Sequence, residues 1–131
     1  MTILIAASII AAGLLILVIL FQVLLVLGMP FGAAAWGGEH RILPAYLRFA
    51  SAMSIILLAL VVLIILAGTG MVTLAWRPFV VRIGTWISFC ILVLSTLGNL
   101  ASKSRIERMV MTPVSLICSA CVLIVAVSDQ S

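Results

Sequence analysis

Apolar residues in this chain neither alternate nor recur once per helical turn. They run on almost unbroken through four stretches, 3–27, 44–67, 83–100 and 113–127, while the charged residues collect between them. About 20 apolar residues at 1.5 Å rise cross a ~30 Å hydrocarbon core. The first stretch, in which Gln22 is the one side chain with a strong demand for water, therefore spans a bilayer. The pattern as a whole predicts an all-α, integral membrane four-helix bundle forming a single domain over 1–131. A secretory signal would need a basic leading region and an apolar stretch of only about 7–15 residues, so the first run is read as a retained span.

Local signals set the expected boundaries. Leu43-Pro44 opens the second run, where a proline in the first turn loses no helical hydrogen bond, and Gly68-Thr69-Gly70 closes it. Trp76-Arg77-Pro78 and Arg82 interrupt the approach to the third run, leaving 83–100 as its clean apolar part. Ser104-Arg105-Ile106-Glu107 has the form of a capping box, in which a hydroxyl and a carboxylate exchange bonds with free backbone amides. A helix is expected to begin there. Thr112-Pro113 then implies either a kink at Pro113 or a fresh start with Thr112 as cap, and both readings give a fourth span over 113–127.

Composition narrows the function classes. With 66% hydrophobic and 8% charged residues and a mean hydropathy of +1.52, the chain has too little polar surface to coat a soluble globule. The formal charge of +4 is spread among the loops and forms no nucleic-acid patch; contact with anionic lipid headgroups accounts for it. Arg41, Arg48, Lys103, Arg105 and Arg108 lie in or beside connections one and three, against Arg77 and Arg82 in connection two. This bias predicts connections one and three in the cytoplasm and both termini outside. Trp36, Tyr46, Trp76 and Trp86 are placed as interface anchors.

Helices in lipid gain little from the hydrophobic effect against each other, so close packing of small residues must hold the bundle. Ala7 with Ala11, Ser8 with Ala12, the set Gly84, Ser88, Ser95 and Gly98, and Ser115 with Ser119 are expected to face inward. The remaining polar residues gather at one end. Gln22, near the end of span one, and Asn99, at the end of span three, share a level with Trp36, Glu39, His40 and Arg48 of connection one and with Ser102, Glu107 and Arg108 of connection three. The opposite end offers Arg77, Arg82 and Asp129. Polar groups at membrane depth are costly unless paired or lining a cavity, so these nine residues form the candidate ligand-binding end. Glu39 and Glu107 are expected to pair with neighbouring arginines.

The segments Gly28-Met29-Pro30-Phe31-Gly32, Trp36-Gly37-Gly38, Leu43-Pro44 and Arg48, followed by Asn99, Ser102, Ser104, Glu107-Arg108 and Pro113, resemble a group of small four-span bacterial membrane proteins with no assigned activity. The resemblance covers nearly the whole chain. It implies a bacterial cytoplasmic (inner) membrane and a four-helix architecture, and no reaction.

Other small membrane families fit less well. Cys118-Ser119-Ala120-Cys121 looks like the redox pair of the vitamin K epoxide reductase family, but the second loop pair is missing and the remaining thiol, Cys90, falls inside span three. Small apolar packing residues are the simpler reading of these cysteines. Sterol isomerase relatives need carboxylates within the bundle, and both loop acids lie outside the spans. His40 beside Glu39 falls short of the three protein ligands usual at catalytic zinc. Small multidrug transporters carry a glutamate in their first span where this chain has Gln22, and the Gly-rich and Thr-Thr-Phe-Ser signatures of fluoride channels are absent.

The sequence thus reads as a small membrane protein that acts by binding, either as a subunit or accessory of a membrane assembly or as a lipid or amphiphile binder at the end formed by connections one and three. It carries no motif for a cofactor. The implied partners are membrane lipids and a homo-oligomer or larger membrane complex, and not nucleic acid. An oligomeric channel or transporter is the alternative, with a thiol redox enzyme behind it.

Overall fold

The computed structural model describes residues 2–73 and 75–128, so Asp129 lies outside the described residues. Four helices account for most of them: α1 (Thr2–Val26), α2 (Ala45–Gly68), α3 (Pro78–Leu100) and α4 (Arg105–Ser128), with two 3-10 turns, Gly32–Ala34 and Trp36–Gly38, in connection one. Each helix is about 35 Å long. All four are long and apolar enough to cross a membrane, and no strand occurs among the described residues. The chain is a multi-pass, all-α membrane protein.

Two helices start earlier than the apolar runs suggest. α3 begins at Pro78, not at residue 83, because Pro78 occupies the first turn behind an extended Arg77 and Arg82 lies exposed on the outside of the helix. A charged head that stays at the interface does not interrupt a span. α4 begins at Arg105 and continues through Pro113. The proline forfeits the bond its amide would donate to Met109 O, and the turn around it is tied by Ser115 Oγ, which donates to the Met111 and Thr112 carbonyls, and by Asn99 Nδ2, which reaches Met111 O from α3. Thr112 is therefore no cap; its hydroxyl is buried and unbonded.

Packing follows the membrane rule that small residues face inward. The fully or nearly buried set includes Ala7, Ser8, Ala11, Ser51, Thr85, Ser88, Ser115, Cys118, Ser119 and Ala126, while Ile9, Leu17, Phe49, Ile56, Leu94, Leu97 and Leu116 project outward. Bulky side chains gain as much from lipid as from a protein core, whereas small ones let backbones approach and gain dispersion contacts. The inward hydroxyls are satisfied by carbonyls one turn back: Thr85 bonds Val81 O, Ser88 bonds Gly84 O and Ser119 bonds Ser115 O. The expected stripe on α3 is corrected at Ser95 and Gly98, both exposed, Gly98 with no neighbour near it; the inner face runs instead through Thr85, Ser88, Leu92 and Asn99.

The helices are arranged as a ring in which α1 packs on α2 and α4, and α3 on α4 and α2. α2 and α3 meet at the connection-two end, where a Cβ on Gly84 would lie 3.0 Å from Ile64 Cδ1 and one on Gly68 would lie 3.5 Å from Thr85 Oγ1. Ala11, Ile65, Val122 and Val125, all fully buried, seal the bundle on that side. The other end is where the helices part.

Candidate functional site

A cavity of about 250 Å³ opens between all four helices beneath connection one. Its apolar wall includes Leu15, Val18, Leu57, Leu58, Ile91 and Val114, and its polar groups are Gln22, Ser54, Ser95, Asn99, Glu107 and Ser115. Trp36 roofs it. Of the lining residues Trp36, Leu57 and Ser95 are also exposed on the outside, so the cavity opens sideways between α2 and α3. Ser95 stands five residues from the end of α3 and Leu57 twelve from the start of α2, depths of about 8 and 18 Å along their helices. Both depths lie within the length that a ~30 Å hydrocarbon core covers on a spanning helix.

Connection one is held over the cavity as a lid. Gly32 N–H donates to Arg41 O at 2.8 Å, closing the loop on itself. Leu25, Ala35 and Leu43 form a small buried cluster under it, with Phe21 and Leu47 packed alongside. Trp36 Nε1 donates to Ser51 Oγ on α2 at 2.9 Å, Gly37 N–H donates to Glu107 Oε2 at 3.0 Å, and Ser104 Oγ donates to Ala33 O. Trp36 adopts φ 51°, the left-handed region that costs a bulky residue free energy and occurs where surrounding structure imposes it. Here the imposed conformation accompanies an indole that lines the cavity and bonds Ser51.

The start of α4 explains how a capping residue becomes part of this site. Ser104 Oγ accepts the Glu107 N–H at 3.2 Å, one half of a capping box. The other half is not formed: the Ser104 amide donates to Ser102 Oγ at 3.1 Å, which frees the Glu107 carboxylate to reach Gly37. The ion pair expected for Glu107 or Glu39 is absent among the described residues, because Glu107 turns inward to a backbone amide and Glu39 is exposed on the loop.

Of the nine candidate residues, Gln22, Trp36, Asn99 and Glu107 come together around the cavity. Gln22 Oε1 is buried and receives no hydrogen bond. Asn99 Nδ2 donates to Ser115 Oγ at 3.2 Å, tying α3 to α4. The other five lie elsewhere. Arg48 Nε donates to Val26 O at 2.8 Å and fastens α2 to the end of α1; Arg108 Nη1 donates to Ser102 O at 3.0 Å. Ser102 thus shapes the turn into α4. Glu39 is exposed on the lid and the half-buried His40 does not line the cavity; the His40 Nδ1 atom is buried without a partner.

Ser54, Ser95, Ser115 and Cys118 also line the cavity and were not among the residues singled out for binding. The periodic signal for three of them exists: Ser88, Leu92, Ser95 and Asn99 recur at helical spacing on α3, as do Ser115 and Cys118 on α4. Cys118 and Cys121 are buried free thiols and Cys90 is exposed on the outer face of α3. Among the described residues no three His, Cys, Asp or Glu side chains gather as metal ligands. No known protein family, curated protein or solved structure matches the chain.

Proposed function

We propose that this protein binds a single amphiphilic molecule, with its head group under the connection-one lid and its tail leaving between α2 and α3. The observation that carries the reading is Gln22: its carboxamide oxygen is buried at the edge of the cavity with no partner in the protein, and an unsatisfied buried acceptor costs about 1–3 kcal/mol. A head group that bonds it removes that penalty. At about 250 Å³ the cavity is slightly smaller than the ~300 Å³ at the low end of ligand pockets, which suits a head group with the first part of a chain. The buried residues below Leu15 and Cys118 close the far end, so one copy offers binding and no continuous pore.

Trp36 provides the direct readout. In a Trp76→Phe/Trp86→Phe background, phospholipids brominated along their acyl chains should quench Trp36 more strongly than lipids brominated near the chain terminus, because the indole sits at the mouth close to the lid. Native mass spectrometry of the detergent-purified protein should show one retained lipid-sized mass. Quenching that is equal at all depths, together with no retained mass, would remove the binding reading.

The orientation belongs to the same proposal. The excess of basic residues at connections one and three favours a lid that faces the cytoplasm of a bacterial cell, with the ligand drawn from the inner leaflet. In a cysteine-free background, Ala101→Cys at the lid end should resist an impermeant thiol reagent in intact cells and Thr73→Cys at the other end should react; both positions are exposed and uncharged. The reverse pattern would put the lid outside, and equal labelling would mean dual topology.

A further inference from the structure

We infer that the head group is a primary ammonium, a positively charged hydrogen-bond donor, rather than a phosphate or a carboxylate; the inference rests on the binding reading above and specifies its chemistry. It follows from an account of donors and acceptors around the cavity. Most donors on the wall are already committed inside the protein. Trp36 Nε1 goes to Ser51, Asn99 Nδ2 to Ser115 and Met111, Ser54 Oγ to Ala50 O, Ser115 Oγ to Met111 and Thr112, and Gly37 N–H to Glu107. What is left over mostly accepts. The second Glu107 oxygen, Asn99 Oδ1 and Gln22 Oε1 receive no hydrogen bond among the described residues; with two lone pairs on each oxygen they outnumber the spare donors, which are the two N–H of the Gln22 carboxamide and the Ser95 hydroxyl.

Charge points the same way. Glu107 is the one charged residue on the cavity wall, and no Lys, Arg or His lines it. The nearby arginines are turned to backbone carbonyls, Arg48 to Val26 and Arg108 to Ser102. A carboxylate beside a low-dielectric cavity, bonded to one amide and facing no cation, is unfavourable by itself and strongly attracts a matching positive donor. A phosphate or carboxylate head would meet the same group as a repulsion. An ammonium has three donors and no acceptor demand, which matches the unbonded oxygens of Glu107, Asn99 and Gln22 on the cavity wall.

The test compares three amphiphiles of equal tail, dodecylamine, dodecanol and dodecanoate, titrated by mole fraction in maltoside micelles against the Trp36 fluorescence of the Trp76→Phe/Trp86→Phe protein. Dodecylamine should bind at least tenfold more tightly than dodecanoate, with dodecanol between them. Glu107→Gln, which keeps an oxygen for the Gly37 amide, should bring dodecylamine down to the level of dodecanol and leave dodecanol unchanged. Gln22→Met removes a side chain that bonds nothing in the protein and should weaken dodecylamine several-fold without unfolding the bundle, so the test survives if the Glu107 variant is unstable.

Equal binding of the three probes would overturn the ammonium assignment while keeping the cavity as a binding site. Tighter binding of dodecanoate would also overturn it, and no binding of any probe would sink both. The source of the ammonium is separated in nanodiscs: stronger Trp36 response in phosphatidylethanolamine than in phosphatidylcholine, whose head has no N–H, assigns it to an aminophospholipid. A response to dodecylamine alone assigns it to a free long-chain amine.

Discussion

Replacing Gly32 by alanine is expected to open the lid and lower the stability of the protein by about 3 kcal/mol, the upper end of the range for an overpacked site. A Cβ at this position would stand 1.9 Å from the His40 carbonyl oxygen and 2.8 Å from that of Arg41. Both obstacles are backbone, and the Gly32 amide is itself bonded to Arg41 O at 2.8 Å, so the loop cannot move aside without losing its own closure. Once the closure is lost, the Trp36–Ser51 and Gly37–Glu107 bonds on the far side of the loop lose their support. Thermal unfolding in detergent should show the loss of stability, and Trp36 emission should shift to the red as the indole leaves its hydrogen bond and meets water. Gly13→Ala is the control: it lies in α1 with nothing within 4 Å of the added carbon, and alanine is favoured over glycine in a helix by about 1 kcal/mol. A Gly32→Ala protein that melts with wild type would mean that the lid is not held as described.

The second large effect is expected at the mouth. Ser95→Trp should reduce amphiphile binding more than tenfold, about 1.4 kcal/mol, while the melting temperature of the empty protein stays close to wild type. Ser95 lines the cavity yet is exposed, and no hydrogen bond of its hydroxyl to a described residue is lost on substitution. An indole there occupies the α3 side of the opening and blocks the route of the tail. The separation of the two readouts is the point, since a substitution that merely damaged the fold would lower both together. Unchanged binding in Ser95→Trp would show that the ligand enters elsewhere, with the lid itself as the remaining way in.

The architecture was legible in the sequence because it depends on a quantity that sequence carries additively. Unbroken apolar length decides whether a segment spans, and small residues at helical spacing decide which face turns inward, so the four spans and the inward placement of Ala7, Ala11, Ser8, Ser88, Ser115 and Ser119 could be read off directly. The early start of α3 was less legible, whereas that of α4 was marked by the capping pattern from Ser104 to Glu107. Charged and capping residues end an apolar run without ending a helix, and Arg82 and Glu107 show two different ways of doing so, one by staying at the interface and one by bonding another loop.

The end of the bundle on which the polar residues gather was equally readable, since span direction alternates and fixes which loops meet. Which of those residues touch a common space was decided by the tertiary structure alone. Side-chain direction at the end of a helix depends on what the neighbouring loop offers, and here backbone carbonyls of Val26 and Ser102 draw Arg48 and Arg108 away while the Gly37 amide draws Glu107 in. The capping-box pattern at Ser104 predicts a local exchange of bonds; the structure spends half of it on a contact 70 residues away in sequence. Propensity and hydropathy are sums over neighbours along the chain and therefore determined the membrane bundle. The cavity, its lid and its unpaired acceptors arise from pairings between distant segments, which only the packed helices bring within bonding distance.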